Sequence, residues 1–289
     1  MCEGRRAIAV RALRTKAPAS GQVPPATGKQ PEKETKMRTL GFGRGAVMLT
    51  LGVLALSATV ATGVRAQAPA VDPAATQILQ RMTSYLSGLQ RFSVHTQNTI
   101  EDLLDSGQRV NFDVSTSVII SRPNKLRAER VGDLIDQVFY YDGKTLTLYN
   151  PSDKIYATEP APGTIEGMLD FARESLGLVI PVADLVYRNA FQLLMQDVTI
   201  ATVVGKAVVG GVRCDHVVFS RPGVDFQIWV AEGSQPLPRK YVVTDTATPT
   251  LLSVVSVMSD WNVAPAVAED RFTFVPPPEA KGIMFMRLK

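Results

Sequence analysis

The sequence has few of the side chains that usually perform catalysis or hold metal ions. Its 289 residues include two cysteines and two histidines. Cys2 precedes the stretch interpreted below as a cleaved leader, so Cys214 is the single thiol of the exported chain and an internal disulfide is excluded. A structural zinc site needs four ligands and a catalytic one three. Cys214 and His216 supply two, and only His95 could add a further nitrogen, so no metal and no cofactor is predicted.

Recognisable catalytic motifs are also missing. After residue 66 there is no Gly-x-Ser-x-Gly elbow for a nucleophilic serine. The glycines from Gly205 to Gly211 lack the lysine and the helix that should follow in a phosphate-binding loop. Asp142 is explained by a turn, and no spacing identifies a carboxylate partner for Asp136. Cys214 and His216 share one face of a predicted strand, which leaves a thiolate–imidazole pair open as an alternative, but we predict that the protein is not an enzyme.

The long uncharged apolar run of the sequence, residues 46–60, lies near its start. Arg38 and Arg44 precede it as a basic region, and Val64-Arg65-Ala66 follows it as a small-residue cleavage site. The run is shorter than the ~20 apolar residues that span a membrane. The pattern therefore predicts a secretory signal peptide over residues 37–66, cleaved after Ala66. The mature protein is then expected to be periplasmic, with no integral membrane span.

Removing this leader changes the charge balance. Residues 1–66 hold 11 of the 31 basic and 3 of the 27 acidic residues. The remainder carries 20 basic and 24 acidic residues, a net charge of −4 in place of the +4 of the whole chain. Residues 1–36 are interpreted as a disordered extension, or as sequence upstream of a true start at Met37 instead of Met1. A mildly acidic protein without a basic run is not expected to bind nucleic acid.

Residues 67–72 read as a linker, after which the apolar residues follow first a helical and then a strand period. Ile78, Leu79 and Met82 begin a three- and four-residue spacing that predicts a helix over residues 73–88. Alternation then predicts about six strands up to residue 160, among them the hairpin at Asp142-Gly143.

The second half of the chain repeats this order of helix and strands. Helical spacing returns at residues 165–176 and at about 182–195, and about six further strands follow, the last near 271–275. The short connections favour antiparallel pairing. We therefore predict a single α+β domain over residues 73–289. Its strongly curved antiparallel sheet of about 11 strands would form an unclosed half-barrel, with the helices covering the concave face.

The helical insert between the two runs of strands is unusually rich in large apolar side chains. An apolar stripe of this kind is typical of a helix packed on a core. The same segment could also act as a lid over a hydrophobic cavity. Both interpretations make the same residues candidates for the cavity or the lid: Met168, Leu169, Phe171, Leu178, Ile180 and Leu185.

Several stretches of the chain resemble a known group of proteins. The order of helix, meander, insert and second meander, with "YYDGKTLTLYNPSDKIYA" and the closing "DRFTFVPPPEAKGIMF", is similar to the LolA/LolB superfamily of periplasmic lipoprotein carriers. The stretches "SRPNKLRAER", "IPVADLVY", "GGVRCDHVVFS" and "DFQIWVAEGSQPLPRKYVVT" resemble more closely an uncharacterised bacterial family of predicted periplasmic proteins within that superfamily. The resemblance covers nearly all of residues 73–285.

This resemblance implies an unclosed β-barrel whose helices cover an apolar cavity for acyl chains. Carriers of the superfamily hold their lid closed with a basic residue on an early strand, a part that Arg127 or Arg130 would play in this sequence. The chain departs from the true carriers in "CDHVVF" and "FQIWVAEGSQPLPRK". The implied function is binding of a lipid or acylated ligand, as a carrier or lipid sensor. The alternative is an interaction or sensing module with a filled core and an envelope protein partner.

Overall fold

The structure is a computed structural model and describes residues 70–133, 135–178 and 180–285. The predictions for residues 1–36, for the signal peptide at 37–66 and for the start of the linker lie outside these residues. Within them the chain consists mostly of β-strands, with three α-helices. The helices are α1 (Pro73–Gly88), α2 (Ile165–Glu174) and α3 (Ala190–Met195).

The strands belong to one sheet, numbered in chain order. They are β1 (Arg91–Leu103), β2 (Arg109–Ser121), β3 (Lys125–Gly132), β4 (Asp136–Tyr141), β5 (Thr145–Asn150), β6 (Ile155–Pro160), β7 (Ile200–Val209), β8 (Val212–Arg221), β9 (Val224–Ala231), β10 (Pro238–Asp245), β11 (Ser253–Asn262) and β12 (Lys281–Ile283). Across the sheet the order is β12, β6, β5, β4, β3, β2, β1, β11, β10, β9, β8 and β7. Because β12 and β7 lie at opposite edges, the sheet is open.

The sheet is largely antiparallel, as predicted. Ten of its pairings are antiparallel, and β12 alone among the described strands runs parallel to its neighbour, β6. The pairing of β1 with β11 joins the strands before the helical insert to those after it. The count of twelve described strands, against about eleven expected, reflects the short β12 near the end of the chain.

One face of the sheet carries most of the buried side chains. Residues paired directly across neighbouring strands project to the same side, and Ile120 lies opposite both Phe92 and Leu126. The same register continues through Tyr141 to Leu146 on β5. All five side chains are at most 7% exposed. We call this side of the sheet the inner face.

The helices pack on the inner face in two apolar clusters. In the first, Leu79 and Met82 of α1 lie with Phe219 and Ile228 of the second meander. In the second, α2 lies with the strands β1 to β5. The N-terminus of α1 is capped by Asp72, whose carboxylate accepts a hydrogen bond of 2.8 Å from the Ala74 amide.

The predicted helix at 182–195 is wrong as a continuous element. The structure has a 3-10 turn at Ala183–Leu185 and then the separate α3. Val182 precedes the turn with a φ of 58°, in the left-handed region that a β-branched residue rarely adopts. Residues 186–189 then form turns and a bend between Leu185 and α3, so the helix that the apolar spacing favoured is interrupted.

The predicted last strand at 271–275 is also wrong. That stretch includes the end of a 3-10 turn, Glu269–Phe272. Phe274 packs on the other side of the sheet, with its ring 5.0–5.3 Å from those of Tyr140, Tyr149 and Tyr156. The prolines that follow cannot donate hydrogen bonds to a ladder, so β12 forms only after them.

Candidate functional site

A cavity of about 60 Å³ lies between the inner face and the helical insert. The insert contributes α2 and the residues after it, 175–178 and 180–189, which together we call the cover segment. Strand side chains on the opposite wall include Val118, Leu126, Ala128, Phe139 and Leu146. The walls are therefore mainly apolar, as expected where a short helix and an irregular segment pack on a sheet.

The predicted cavity and lid residues separate into three groups. Met168, Leu169 and Ile180 line the cavity. Phe171 and Leu178 pack at the margin of the surrounding cluster and are partly exposed. Leu185 is 6% exposed and belongs to the neighbouring cluster around α1.

The two basic candidates project to opposite faces of β3. Arg130 lines the cavity and is 8% exposed, and burial lowers the pKa of its guanidinium to about 10. Arg127 lies on the outer side, where it forms an ion pair with Glu129 and sits 4.9 Å from the centre of the Tyr140 ring. The structure therefore brings Arg130 to the cavity and not Arg127.

A polar group on the inner face adjoins Arg130 in the cavity wall. The amide nitrogen of Asn98 donates to the hydroxyl oxygens of Thr96 (2.9 Å) and Thr116 (3.2 Å), and to the carbonyl of Val114 (3.1 Å). Its carbonyl oxygen accepts a 2.7 Å hydrogen bond from Ser256. Sequence reasoning missed these residues. The alternation of β1 could have identified two of them, since Thr96 and Asn98 occupy inward positions between Val94 and Ile100.

A second missed residue, Arg122, connects the sheet to the cover segment. The side chain of Arg122 is 1% exposed. Its guanidinium donates to Glu166 of α2 over 3.2 Å and to the carbonyl of Val186. Burial lowers the pKa of Arg122, and the Glu166 carboxylate partly offsets this effect. Arg122 lies in the turn between β2 and β3, before a cis proline, where the sequence indicated only a turn.

Further hydrogen bonds hold the parts of the cover segment to each other. Glu166 also accepts from the backbone amide of Arg188 over 3.2 Å. The Tyr187 hydroxyl donates to Asp170 over 3.0 Å, and Asp170 also pairs with Arg173. These contacts join α2 to residues 187–188, so the two parts of the cover segment are held together by their own hydrogen bonds.

The thiol and imidazole considered above do not form a reactive pair. Cys214 is fully buried and donates to the carbonyl of Val212 over 3.4 Å, and burial raises the pKa of its thiol. His216 stacks on Trp229 with ring centres 3.9 Å apart and contacts Gln227 over 3.0 Å. His95 lies four strand spacings away, about 19 Å as measured along the sheet.

The described residues were also compared with the requirements of a metal site and of a membrane-spanning helix. Within residues 70–133, 135–178 and 180–285, no three or more histidine, cysteine or acidic side chains are grouped as metal ligands would be. Across the same residues, no helix combines the length and the apolar character needed to cross a membrane. The fold presents a largely antiparallel sheet with a small apolar cavity under helices.

The sequence matches a protein family over residues 75–286, and the chain belongs to it. The family is described as predicted periplasmic protein, DUF2092. This match confirms the closer of the two resemblances predicted from the quoted stretches. No curated protein matches the sequence significantly.

Solved structures that are similar to this chain are distant from it in sequence. An uncharacterised conserved protein from Thermus thermophilus gives a TM-score of 0.44 at 12% identity, covering 73% of this chain and 99% of that one. Lipoprotein LppX of Mycobacterium tuberculosis gives 0.40 at 16%, covering 68% and 100%. A LolA superfamily protein from Nitrosomonas europaea gives 0.35 at 10%, covering 69% and 97%.

Proposed function

We propose that the protein binds a lipid or another apolar ligand in the cavity beneath the cover segment, as a periplasmic carrier or lipid sensor without a catalytic step. The observation that supports this most is the cavity itself. Its walls are mainly apolar, and one of them is a short helix followed by irregular chain. Ligand sites in proteins are commonly apolar clefts with a few polar groups.

The size of the cavity implies that the cover segment must move. At about 60 Å³ the cavity is smaller than the ~150 Å³ that suffices for benzene. It is several-fold below the roughly 300–1,000 Å³ of typical ligand sites. On this proposal the structure is a closed state, and binding would enlarge the cavity by displacing α2 from the sheet.

The contacts of Arg122 support a role in holding the cover segment closed. This side chain reaches both halves of the cover segment, through Glu166 and the carbonyl of Val186. Arg130 faces the cavity and is the basic residue that a ligand would meet there. Arg127 projects to the outer side of the sheet and does not line the cavity.

The proposal also includes the sheet curvature, the domain bounds and the cleaved leader that the sequence predicts. A sheet that curves strongly around the helices, with the helices on its concave face, would enclose an acyl chain on most sides. We propose residues 73–289 as this single binding domain, exported with a leader that is removed after Ala66. The family's description as periplasmic is consistent with that route.

The test is native mass spectrometry, with organic extraction, of protein recovered from the periplasm without detergent. We expect a stoichiometric lipid on the wild-type protein. The matched variant is Ala128→Leu, because Ala128 lines the cavity and a larger side chain would fill it. A lipid found equally on both proteins, or failure of the wild-type protein to bind any added phospholipid or acylated peptide, would contradict the proposal.

A second candidate function is supported by the edge strand β7. Val204 and Val208 on this strand are 56% and 67% exposed, and they lie beyond Ala201, whose backbone pairs with Ala70 and Asp72. An exposed apolar edge strand is a template for pairing with another chain. A protein-interaction or sensing module would use this edge and leave the cavity small, and it would show no lipid in the experiment above.

A further inference from the structure

The cavity wall changes from apolar to polar along β3. Leu126, Ala128 and Arg130 are successive inward residues of this strand, and all three line the cavity. At about 3.3 Å per residue, Leu126 and Arg130 are roughly 13 Å apart along the strand. The cavity thus has an apolar end and a cationic end.

The cationic end is built from residues in register on three neighbouring strands. Thr96 of β1 lies opposite Thr116 of β2, which lies opposite Arg130 of β3. Thr96 is 1% exposed, and the other two are each 8% exposed. Directly paired residues have Cβ atoms about 4.5–5.5 Å apart, so the three side chains form one compact row.

The hydrogen bonds of Asn98 leave this row able to donate. Asn98 shares its two amide protons among the oxygens of Thr96 and Thr116 and the carbonyl of Val114. A hydroxyl that accepts through its oxygen keeps its own proton to donate. The row therefore combines a guanidinium with two hydroxyl donors, all in the wall of a mainly apolar cavity.

We infer that the cavity takes a single acyl chain that ends in an anion, a carboxylate or a phosphate, seated on Arg130 and Thr116. This inference rests on the proposed function and names the chemistry of its ligand. The guanidinium fork matches the paired oxygens of carboxylate and phosphate groups. Ion pairing and charge-assisted hydrogen bonds are stronger in an apolar wall than in water. The chain of the ligand would then extend past Ala128 towards Leu126.

The test compares ligands that share a tail and differ in the head group. The neutral dye N-phenyl-1-naphthylamine reports on the apolar cavity of the protein recovered from the periplasm. Decanoate, decyl phosphate and 1-decanol compete with it at about pH 8, where a carboxylate is ionised. We expect both anions to displace the dye at about 10- to 100-fold lower concentration than decanol. Inorganic phosphate alone should not displace it.

Variants on the two faces of β3 assign the effect to one residue. Arg130→Met should bind the dye and lose the preference for anions, whereas Arg127→Met should keep it. Arg130→Lys retains the charge without the fork and should lower the preference for decanoate about threefold or more. If circular dichroism shows that Arg130→Met does not fold, Arg130→Lys still tests whether Arg130 gives the preference for anions.

The outcomes separate this inference from the proposed function. If the wild-type protein binds neither the dye nor any of the decyl compounds, both fail. If the dye binds and decanol competes as well as the anions, or the Arg130 variants keep the preference, only the anionic head group is contradicted. Binding of inorganic phosphate as tight as that of decyl phosphate would indicate a site for the free anion and would also overturn the inference.

Discussion

At the scale of single residues, a buried strand alanine borders empty space at one position and not at another. Ala128 and Ala157 are both buried strand alanines, at 8% and 5% exposure, but only Ala128 lines the cavity. The same substitution at the two positions therefore compares a buried site next to the cavity with a buried site away from it.

Ala128→Leu should change the free energy of unfolding by less than about 1 kcal/mol, because its added atoms enter the cavity. Ala157→Leu should destabilise the protein by about 1–3 kcal/mol, since overpacking forces its neighbours to shift. Urea unfolding of both variants measures the difference. Equal destabilisation would show that the space beside Ala128 does not exist in solution.

Asp142 illustrates a residue whose role could be read from the sequence. Burial raises the pKa of its carboxyl, but hydrogen bonds from the amides of Thr145 and Lys144 and from the Thr145 hydroxyl outweigh this and lower it. A lowered folded-state pKa gives stability that is present above the unfolded value of about 3.9 and lost as the pH falls through the folded value.

Asp142→Ala should therefore destabilise the protein by about 1–2 kcal/mol at pH 7. The difference from wild type should shrink as the pH falls below about 3.9. Chemical unfolding at a series of pH values tests both statements. A difference that stays constant down to acid pH would mean that the ionised carboxylate is not the stabilising group.

Residue roles that depend on distant parts of the chain could not be predicted. Arg122 sits in a turn that the sequence revealed through Pro123 and Asn124, but its partners Glu166 and Val186 are 44 and 64 residues away. Arg130 was one of two basic candidates, and only strand pairing distinguishes the inward from the outward side chain. Periodicity gives the alternation of β3 without stating which face receives the helices.

At the scale of elements, the cover segment is held by a few contacts with identifiable partners. Arg122 joins the β2–β3 turn to α2, and the amide of Ile165 donates to the carbonyl of Pro123 over 3.0 Å. The Tyr141 hydroxyl donates to the carbonyl of Pro162 just before α2. Apolar packing of α2 adds to these contacts, so removal of Arg122 should loosen this element more than the sheet.

Arg122→Met should lower the free energy of unfolding by about 2–4 kcal/mol, because Glu166 loses its buried partner. Hydrogen exchange in α2 should accelerate more than exchange in β1 and β2. Arg127→Met is the matched control, since that arginine pairs with Glu129 on the outer side. Uniform acceleration across the sheet, or equal effects of both variants, would count against Arg122 as the contact that holds the cover segment.

Helices were predictable where amphipathic spacing and capping agree. The prediction for α1 matches its bounds because Asp72 and Pro73 mark its start and one stripe is buried. The insert was harder, since residues 186–189 divide a stretch of apolar spacing into a 3-10 turn and the separate α3. Apolar spacing alone does not encode that interruption.

At the scale of the whole molecule, the twelve-stranded sheet leaves β7 at one edge. Alternation predicted the strands and their antiparallel neighbours, but the pairing of β1 with β11 links segments more than 150 residues apart. Nothing local specifies that pairing or the parallel addition of β12. The exposed apolar side chains of β7 are a property of the complete sheet order.

The double variant Val204→Lys, Val208→Glu should raise the temperature at which the protein aggregates, because charges on an edge strand oppose pairing with another chain. The carboxylate introduced at position 208 would face Arg213 on β8. The free energy of unfolding should change by no more than about 0.5 kcal/mol, and dye binding should not change. Light scattering during heating provides the measurement, and an unchanged onset would show that β7 does not drive association.

The most direct test of the central claim is to locate the ligand by photo-crosslinking. A fatty acid carrying a diazirine along its chain would be bound to the purified protein and irradiated, and the labelled peptides identified by mass spectrometry. We expect labels on cavity residues such as Phe139, Met168 and Ile180, with loss of labelling in Ala128→Leu. Labels confined to the β7 edge or the surface of α3, or unchanged by that substitution, would contradict a ligand site beneath the cover segment.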